Sequence, residues 1–199
     1  MLRVFIGVQI SENLEKPLSK LLKNFAKKHW PVKWEPVEKL HFTLVFLGRI
    51  KEENLAIVKE KVKVACEDFP AFTIKIKGLG CFPDYNQPRV IWLGLKGDLQ
   101  SLAKLQKQLT SELKREGFKL TERSFVPHLT LGRIKQAKYR QKKEIGRQLK
   151  TRQDLKIADE WAVDKLVIFE SKFSPEGSRY LEIESFELQK QLEKDFWQE

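Results

Sequence analysis

Residues 41–50, HFTLVFLGRI, and residues 128–134, HLTLGRI, repeat one tetrad of His, an apolar residue, Thr and Leu, each near the middle of its half of the chain. Such a tetrad arises by chance in roughly one chain in a hundred of this length, and a pair far more rarely, so coincidence explains it poorly. An internal repeat explains it better. Alternate side chains of a strand point to opposite faces, so His41 and Thr43 share one face while Phe42 and Leu44 take the other. His128 and Thr130 repeat the arrangement. Each strand would anchor itself by its apolar residues and present an imidazole and a hydroxyl together.

Working outward, MLRVFIGVQI reads as a first strand, being too short an apolar run for a membrane span and lacking a small-residue cleavage site. Leu14, Leu18, Leu21, Leu22 and Phe25 predict a helix over 12–28, with Ser11 placed to cap it. A second helix carries Leu55, Val58, Val62 and Ala65 on one face. AFTIKIKG and RVIWLGL, separated by the turn-forming CFPDYNQP, predict a long hairpin. A third helix begins at Asp98, runs along Leu102, Leu105, Leu109 and Leu113, and stops at Gly117. The basic stretch from Lys135 to Arg152 reads as a loop with some helix, and WAVDKLVIFESKF with SRYLEIESFEL as a closing pair of strands around Pro175 and Gly177.

Several strand pairs are joined by turns too short for parallel crossovers, so the class is α+β with antiparallel or mixed sheets. No Gly- or Ser-rich linker divides the chain, which predicts two lobes packed on each other within one unit spanning 1–199. Thirty-eight Lys and Arg against twenty-seven Asp and Glu leave a formal charge of +11, which favours polyanionic partners. Cys66 and Cys81 form neither a disulfide ladder nor a cysteine zinc motif, and a reduced cytoplasm is the expected compartment.

If the halves are related by a pseudo-two-fold, the two His-x-Thr faces meet across a groove with an imidazole on either side of the bound group. Water-driven opening of a phosphodiester needs a base for the nucleophile and an acid for the departing alkoxide on opposite sides of phosphorus. His41 and His128, with ordinary values near neutrality, suit both tasks. Thr43 and Thr130 would donate to the non-bridging oxygens. Arg49 and Arg133 each follow a glycine after their motif and match phosphate geometry. Arg49 lies an even number of residues from His41, whereas Arg133 is odd from His128 and reaches the groove only if the strand bends at Gly132. Trp34, Phe82, Tyr85 and Trp92 are candidates to stack a base, and His29 is assigned packing or capping. Neither motif brings an Asp, Glu or second His at ligand spacing, so no metal is expected.

At these residues the sequence resembles the two-histidine phosphoesterases, whose hallmark is a pair of H-x-T-x motifs (here 41–44 and 128–131). VKWEPVEKLHFTLVFLG (32–48) resembles the first motif with its preceding Trp, and FVPHLTLGR (125–133) the second, with Pro before His and an Arg after it. RVFIGVQI, PRVIWLGL and ESKFSPEGSRYLEI extend the likeness over nearly the whole chain, toward the RNA 2′,3′-cyclic phosphodiesterase branch, also called LigT-like or 2′-5′ RNA ligases. The resemblance implies a bilobal fold of two pseudo-symmetric halves, antiparallel sheets facing a central cleft and helices outside. It also implies no metal or cofactor, and hydrolysis of a terminal 2′,3′-cyclic phosphate to a 2′-phosphate, reversible as 2′-5′ ligation. By carry-over His41 is the proton donor to the 3′ oxygen, His128 the base for water and Arg133 the phosphate-binding arginine, although symmetry leaves the order of the histidines open. The implied partner is RNA with 2′,3′-cyclic phosphate ends, tRNA fragments among them, handled by a monomer away from membranes. Two rivals stand beside this reading: a non-catalytic single-stranded RNA-binding module, and a phosphodiesterase of the same fold acting on a cyclic nucleotide.

Overall fold

The computed structural model of the chain describes residues 1–120, 124–174 and 177–190. Among these the order is β1 (Leu2–Gln9), α1 (Glu12–Ala26), β2 (Val32–Trp34), β3 (His41–Ile50), α2 (Leu55–Glu67), β4 (Phe72–Phe82), β5 (Val90–Gly97), α3 (Leu99–Arg115), β6 (His128–Ile134), α4 (Tyr139–Lys150), β7 (Lys156–Val163), β8 (Lys165–Ser174) and β9 (Gly177–Glu187). The strands follow one path, β7-β4-β5-β6-β3-β1-β8-β9, with β2 added alongside the end of β6. All the strand pairings are antiparallel.

The middle of that path is its weakest seam. The motif strands β3 and β6 are registered at Phe42 opposite Leu129, and beyond this point β6 pairs with β2 instead. The seam divides the path into two four-stranded lobes, β9-β8-β1-β3 and β7-β4-β5-β6, each holding one motif strand. The lobes do not coincide with the halves of the sequence. β4 precedes the midpoint yet lies in the second lobe, while β8 and β9 return from the C-terminal region to complete the first.

The helices cover the faces turned away from the cleft, and they too cross over: α1 lies against β7, α2 against β8, β9 and α3, α3 against β3, and α4 against β4. Leu102, Leu105, Leu109 and Leu113 recur at three- and four-residue steps along α3 and are fully buried. Each contributes up to about 2 kcal/mol by leaving water. Phe42 meets Trp161 of β7 edge to face at 5.1 Å, so the apolar side of the first motif strand packs on a residue of the other lobe. No helix among the described residues is long and apolar enough to cross a membrane.

Four details correct the sequence reading. The basic stretch contains a full helix, Tyr139–Lys150, because Ile145, Gly146 and Leu149 bury one side of it beneath a charged exterior. WAVDKLVIFESKF is two strands in different lobes, broken at Asp164, where β7 ends and β8 begins; Pro175 lies outside the described residues. Ser11 occupies the N-cap of α1, but its hydroxyl donates to the Asn13 side chain at 2.6 Å instead of accepting from the helix backbone. The helix itself ends at Ala26, where Lys27 caps it and His29 then takes the left-handed φ of 51°. Asp98, by contrast, accepts from the Ser101 backbone N–H at 2.9 Å, as its position predicts.

Candidate active site

The period-two pattern of the motif holds on both strands. Phe42, Leu129 and Leu131 are fully buried on the helix side, and His41, Thr43, His128 and Thr130 are half-buried on the other, where they line one cleft of about 390 Å³. The two imidazoles are held identically. His41 Nδ1 lies 2.8 Å from the Lys39 carbonyl oxygen and His128 Nδ1 lies 2.7 Å from that of Val126. A carbonyl oxygen only accepts, so each Nδ1 carries the proton and donates it, leaving Nε2 as the nitrogen able to take up a proton.

Aromatic walls fix the ring planes. His41 stacks on Phe5 at 4.8 Å and meets the Tyr180 ring edge-on at 4.8 Å. His128 stands edge-on to Phe82 at 4.9 Å, with Trp92 behind it at 6.1 Å. Burial in these walls is the largest influence on both rings and lowers their proton affinity below the ordinary 6.5. The backbone carbonyls partly offset it, the Arg133 guanidinium lowers both further, and His128 adds to the lowering of His41. Each ring therefore resists a second proton, and an anion bound beside it would reverse that resistance.

Arg133 lines the cleft and Arg49 is not among the residues that do, the reverse of what simple parity gives. For Arg133 the reason is a bulge in β6: Thr130 pairs with Trp92 and Gly132 with Ile91, so Leu131 is skipped, and the extra residue turns Arg133 to the face of His128. Gly132 permits the crowded pairing that follows. A Cβ there would lie 2.8 Å from Val32 Cγ1 and 2.9 Å from the Lys33 carbonyl of β2. A matching bulge skips Leu44 in β3 and brings Phe46 round to the cleft.

Of the four aromatics proposed to stack a base, Phe82 and Trp92 form the wall behind His128, while Trp34 stacks on Phe25 at 5.5 Å and Tyr85 lies in a separate groove beside α4. Sequence reasoning missed Arg3, Lys39, Phe46, Phe173 and Tyr180, all of which line the cleft. The Arg3 guanidinium lies 5.0 Å from the Phe46 ring and 4.6 Å from the Phe173 ring, and those rings remain 44% and 69% exposed. Large apolar rings left this open beside a polar cleft are suited to cover a planar ligand. Among the described residues no group of three or more His, Cys, Asp or Glu is placed to hold a metal ion.

Two opposed imidazoles, paired hydroxyls and an arginine in the cleft of a bilobal antiparallel α+β fold define a two-histidine phosphoesterase. A family model described as LigT like Phosphoesterase matches residues 8–92 and again 93–180, dividing the chain within β5. The chain belongs to that family. An RNA 2′,3′-cyclic phosphodiesterase of Thermotoga maritima is 34% identical to it over 90% of this chain and 91% of that protein. A Methanothermobacter thermautotrophicus protein of the same name is 31% identical over 94% and 98%. Among solved structures, TT0787 of Thermus thermophilus superposes with a TM-score of 0.81 at 23% identity over 96% of this chain and all of that one. E. coli LigT in apo form gives 0.71 at 22% over 94% and 97%. These likenesses establish the fold.

Proposed function

We propose that the chain is an RNA 2′,3′-cyclic phosphodiesterase in which His41 and His128 are the acid and base. The observation that carries this reading is the matched pair of imidazoles, each pinned through Nδ1 by a carbonyl two residues upstream and each offering Nε2 to one cleft. The RNA-specific names of the relatives supply the substrate class. An E. coli LigT structure complexed with 3′-AMP, of the same fold at 21% identity, is consistent with a nucleotide-sized cleft.

In the proposed step, water attacks phosphorus in line with the 3′ oxygen while His128 Nε2 takes its proton. The phosphorus to 3′-oxygen bond breaks, and His41 Nε2–H protonates the leaving alkoxide, giving a 2′-phosphate and a 3′-hydroxyl. Thr43 and Thr130 donate to the non-bridging oxygens, and Arg133 offsets the charge that grows there. With a 5′-hydroxyl end in place of water, the same atoms join two RNA ends through a 2′-5′ bond, and the histidines exchange tasks in the reverse direction. Residues 1–199 act as a single bilobal domain, as a monomer in the cytoplasm, on RNA ends that include tRNA fragments.

The test is incubation in EDTA with an RNA oligonucleotide ending in a 2′,3′-cyclic phosphate. The product is identified by mass and by resistance to a 3′-specific phosphatase. A 2′-phosphate from the wild type, and a loss of about 10²–10⁴ in kcat for His41→Ala and His128→Ala, are expected. An untouched cyclic end, or two active single variants, overturns the reading.

A further inference from the structure

A second concave site lies outside the cleft. Between the Asp84–Asn86 turn and α4 runs a groove of about 590 Å³, and Arg140, Lys143, Arg147 and Lys150 line its helical side. The steps of three, four and three residues put these cations on one exposed face, over about 15 Å of helix. Two carboxylates share the groove, and both are engaged. Asp84 accepts from the backbone N–H groups of Asn86 and Gln87 at 2.7 and 3.0 Å. Glu144 holds Arg147 at 2.8 and 2.9 Å, and those bonds pull its carboxyl down to about 2. Arg140, Lys143 and Lys150 have no carboxylate partner among the described residues. A helix that spends one face on three buried positions and sets three unneutralised cations along the other is poorly explained by stability.

The groove is also joined to the catalytic cleft through the chain. The turn that forms its other side leaves β4 at Phe82, the ring edge-on to His128, and Tyr85 follows within three residues, at most about 11 Å of chain. The turn is seated hard on α4. A Cβ at Gly146 would lie 1.7 Å from the Tyr85 carbonyl oxygen, and Gln153 Nε2 donates to the Tyr85 hydroxyl at 2.9 Å. Cations, a half-buried phenol and an exposed amide in a groove one short chain segment from the ring behind His128 suit single-stranded nucleic acid, which is held by backbone charge and occasional stacking.

We propose that this groove binds the phosphodiester backbone of an RNA strand whose reacting end occupies the cleft, an extended subsite resting on the activity proposed above. Arg140, Lys143 and Lys150 hold successive phosphates, Arg147 is held back by Glu144, and Tyr85 lies where a base would pass. The site makes the enzyme prefer polynucleotide ends over mononucleotides of the same cyclic chemistry.

The experiment compares the wild type with the triple variant Arg140→Glu, Lys143→Glu, Lys150→Glu, whose substitutions are all exposed and outside the cleft. It measures kcat/KM on 2′,3′-cyclic AMP and on an oligonucleotide with the same terminal nucleotide, across a salt series. It also measures binding of the labelled oligonucleotide by fluorescence anisotropy. The expected result is unchanged turnover of the mononucleotide, at least about a tenfold loss on the oligonucleotide, and a salt dependence shallower by about two logarithmic units per decade, the loss of three contacts at roughly 0.7 each. An unchanged oligonucleotide preference and salt slope overturn the subsite. If the wild type hydrolyses neither substrate, the proposed activity fails instead, and the anisotropy alone decides the groove: equal affinity in wild type and variant overturns it.

Discussion

Replacing Gly80 by Ala tests whether the aromatic wall, and not the backbone clamp alone, sets the position of His128. Gly80 of β4 pairs with Trp92 of β5, and the indole lies across the bare α-carbon. A methyl group there would stand 2.3 Å from both Cη2 and Cζ2 of Trp92 and 2.7 Å from Cε2. Carbon contacts settle near 3.5–4.0 Å, so the indole must retreat by about 1 Å or more. Its ring is 5.2 Å from Phe82 and 6.1 Å from His128, and Phe82 bears edge-on upon His128, so the displacement is passed to that imidazole and not to His41. Overpacking of this kind costs about 1–3 kcal/mol of stability, and misplacing a catalytic group by about 1 Å costs about a hundredfold in rate. Steady-state kinetics on a 2′,3′-cyclic nucleotide, beside thermal unfolding, should give a kcat reduced by about that factor with KM little changed. The double variant Gly80→Ala, Trp92→Leu, which frees the space, should recover most of it. A Gly80→Ala protein that is destabilised yet keeps kcat within about threefold would refute the idea that the wall positions the ring.

The lowered proton affinities of His41 and His128 give further expectations. Both macroscopic steps of the free enzyme lie below the ordinary 6.5, so the bell-shaped profile of kcat/KM should centre on the acid side of that value, while kcat, measured with the anion bound, should peak at higher pH. A kcat/KM optimum above pH 7 would contradict the burial argument. Stability follows the same sign: above pH 6.5 the imidazoles are neutral folded or unfolded, and as pH falls through 6.5 the unfolded chain takes up protons that the folded cleft resists. The melting temperature should decline with acidification, and should do so less in a His41→Asn, His128→Asn double variant. Arg133→Met should lower the rate by about 10²–10³ and move the kcat/KM profile to higher pH, since its guanidinium depresses both histidines; a slower enzyme with an unmoved profile would place Arg133 elsewhere in the mechanism.

The parts of the site that sequence made legible depend on local geometry alone. In a strand the face of a side chain follows from counting by two, so His41 with Thr43 and His128 with Thr130 could be paired before any fold was known. The count fails at a bulge, and a bulge is set by the neighbouring strand. Leu131 is skipped because β5 pairs on either side of it, which is why Arg133 faces the cleft against parity; in β3 the skips at Leu44 and Leu47 cancel, so Arg49 keeps its parity opposite Arg3 yet lies outside the cleft lining. The same limit hid the strand exchange. The hairpin of AFTIKIKG with RVIWLGL could be read, but nothing within AFTIKIKG says that β4 will also take β7 and lie in the other lobe, or within ESKF that it will return to β1. Arg3, Phe46 and Phe173 therefore read as a residue of a first strand, a motif residue of the wrong parity and a residue of a closing strand, although the fold gathers all three on one cleft wall. The exchange also bears on the chemistry. Each lobe is completed by strands from the other half of the chain, and α1 and α3 each pack on the lobe opposite the strand they follow, so the lobes cannot be drawn apart without unpairing strands and unseating helices. A cleft whose two imidazoles come from different lobes keeps its shape because of that crossing, and the in-line displacement proposed above would depend on it.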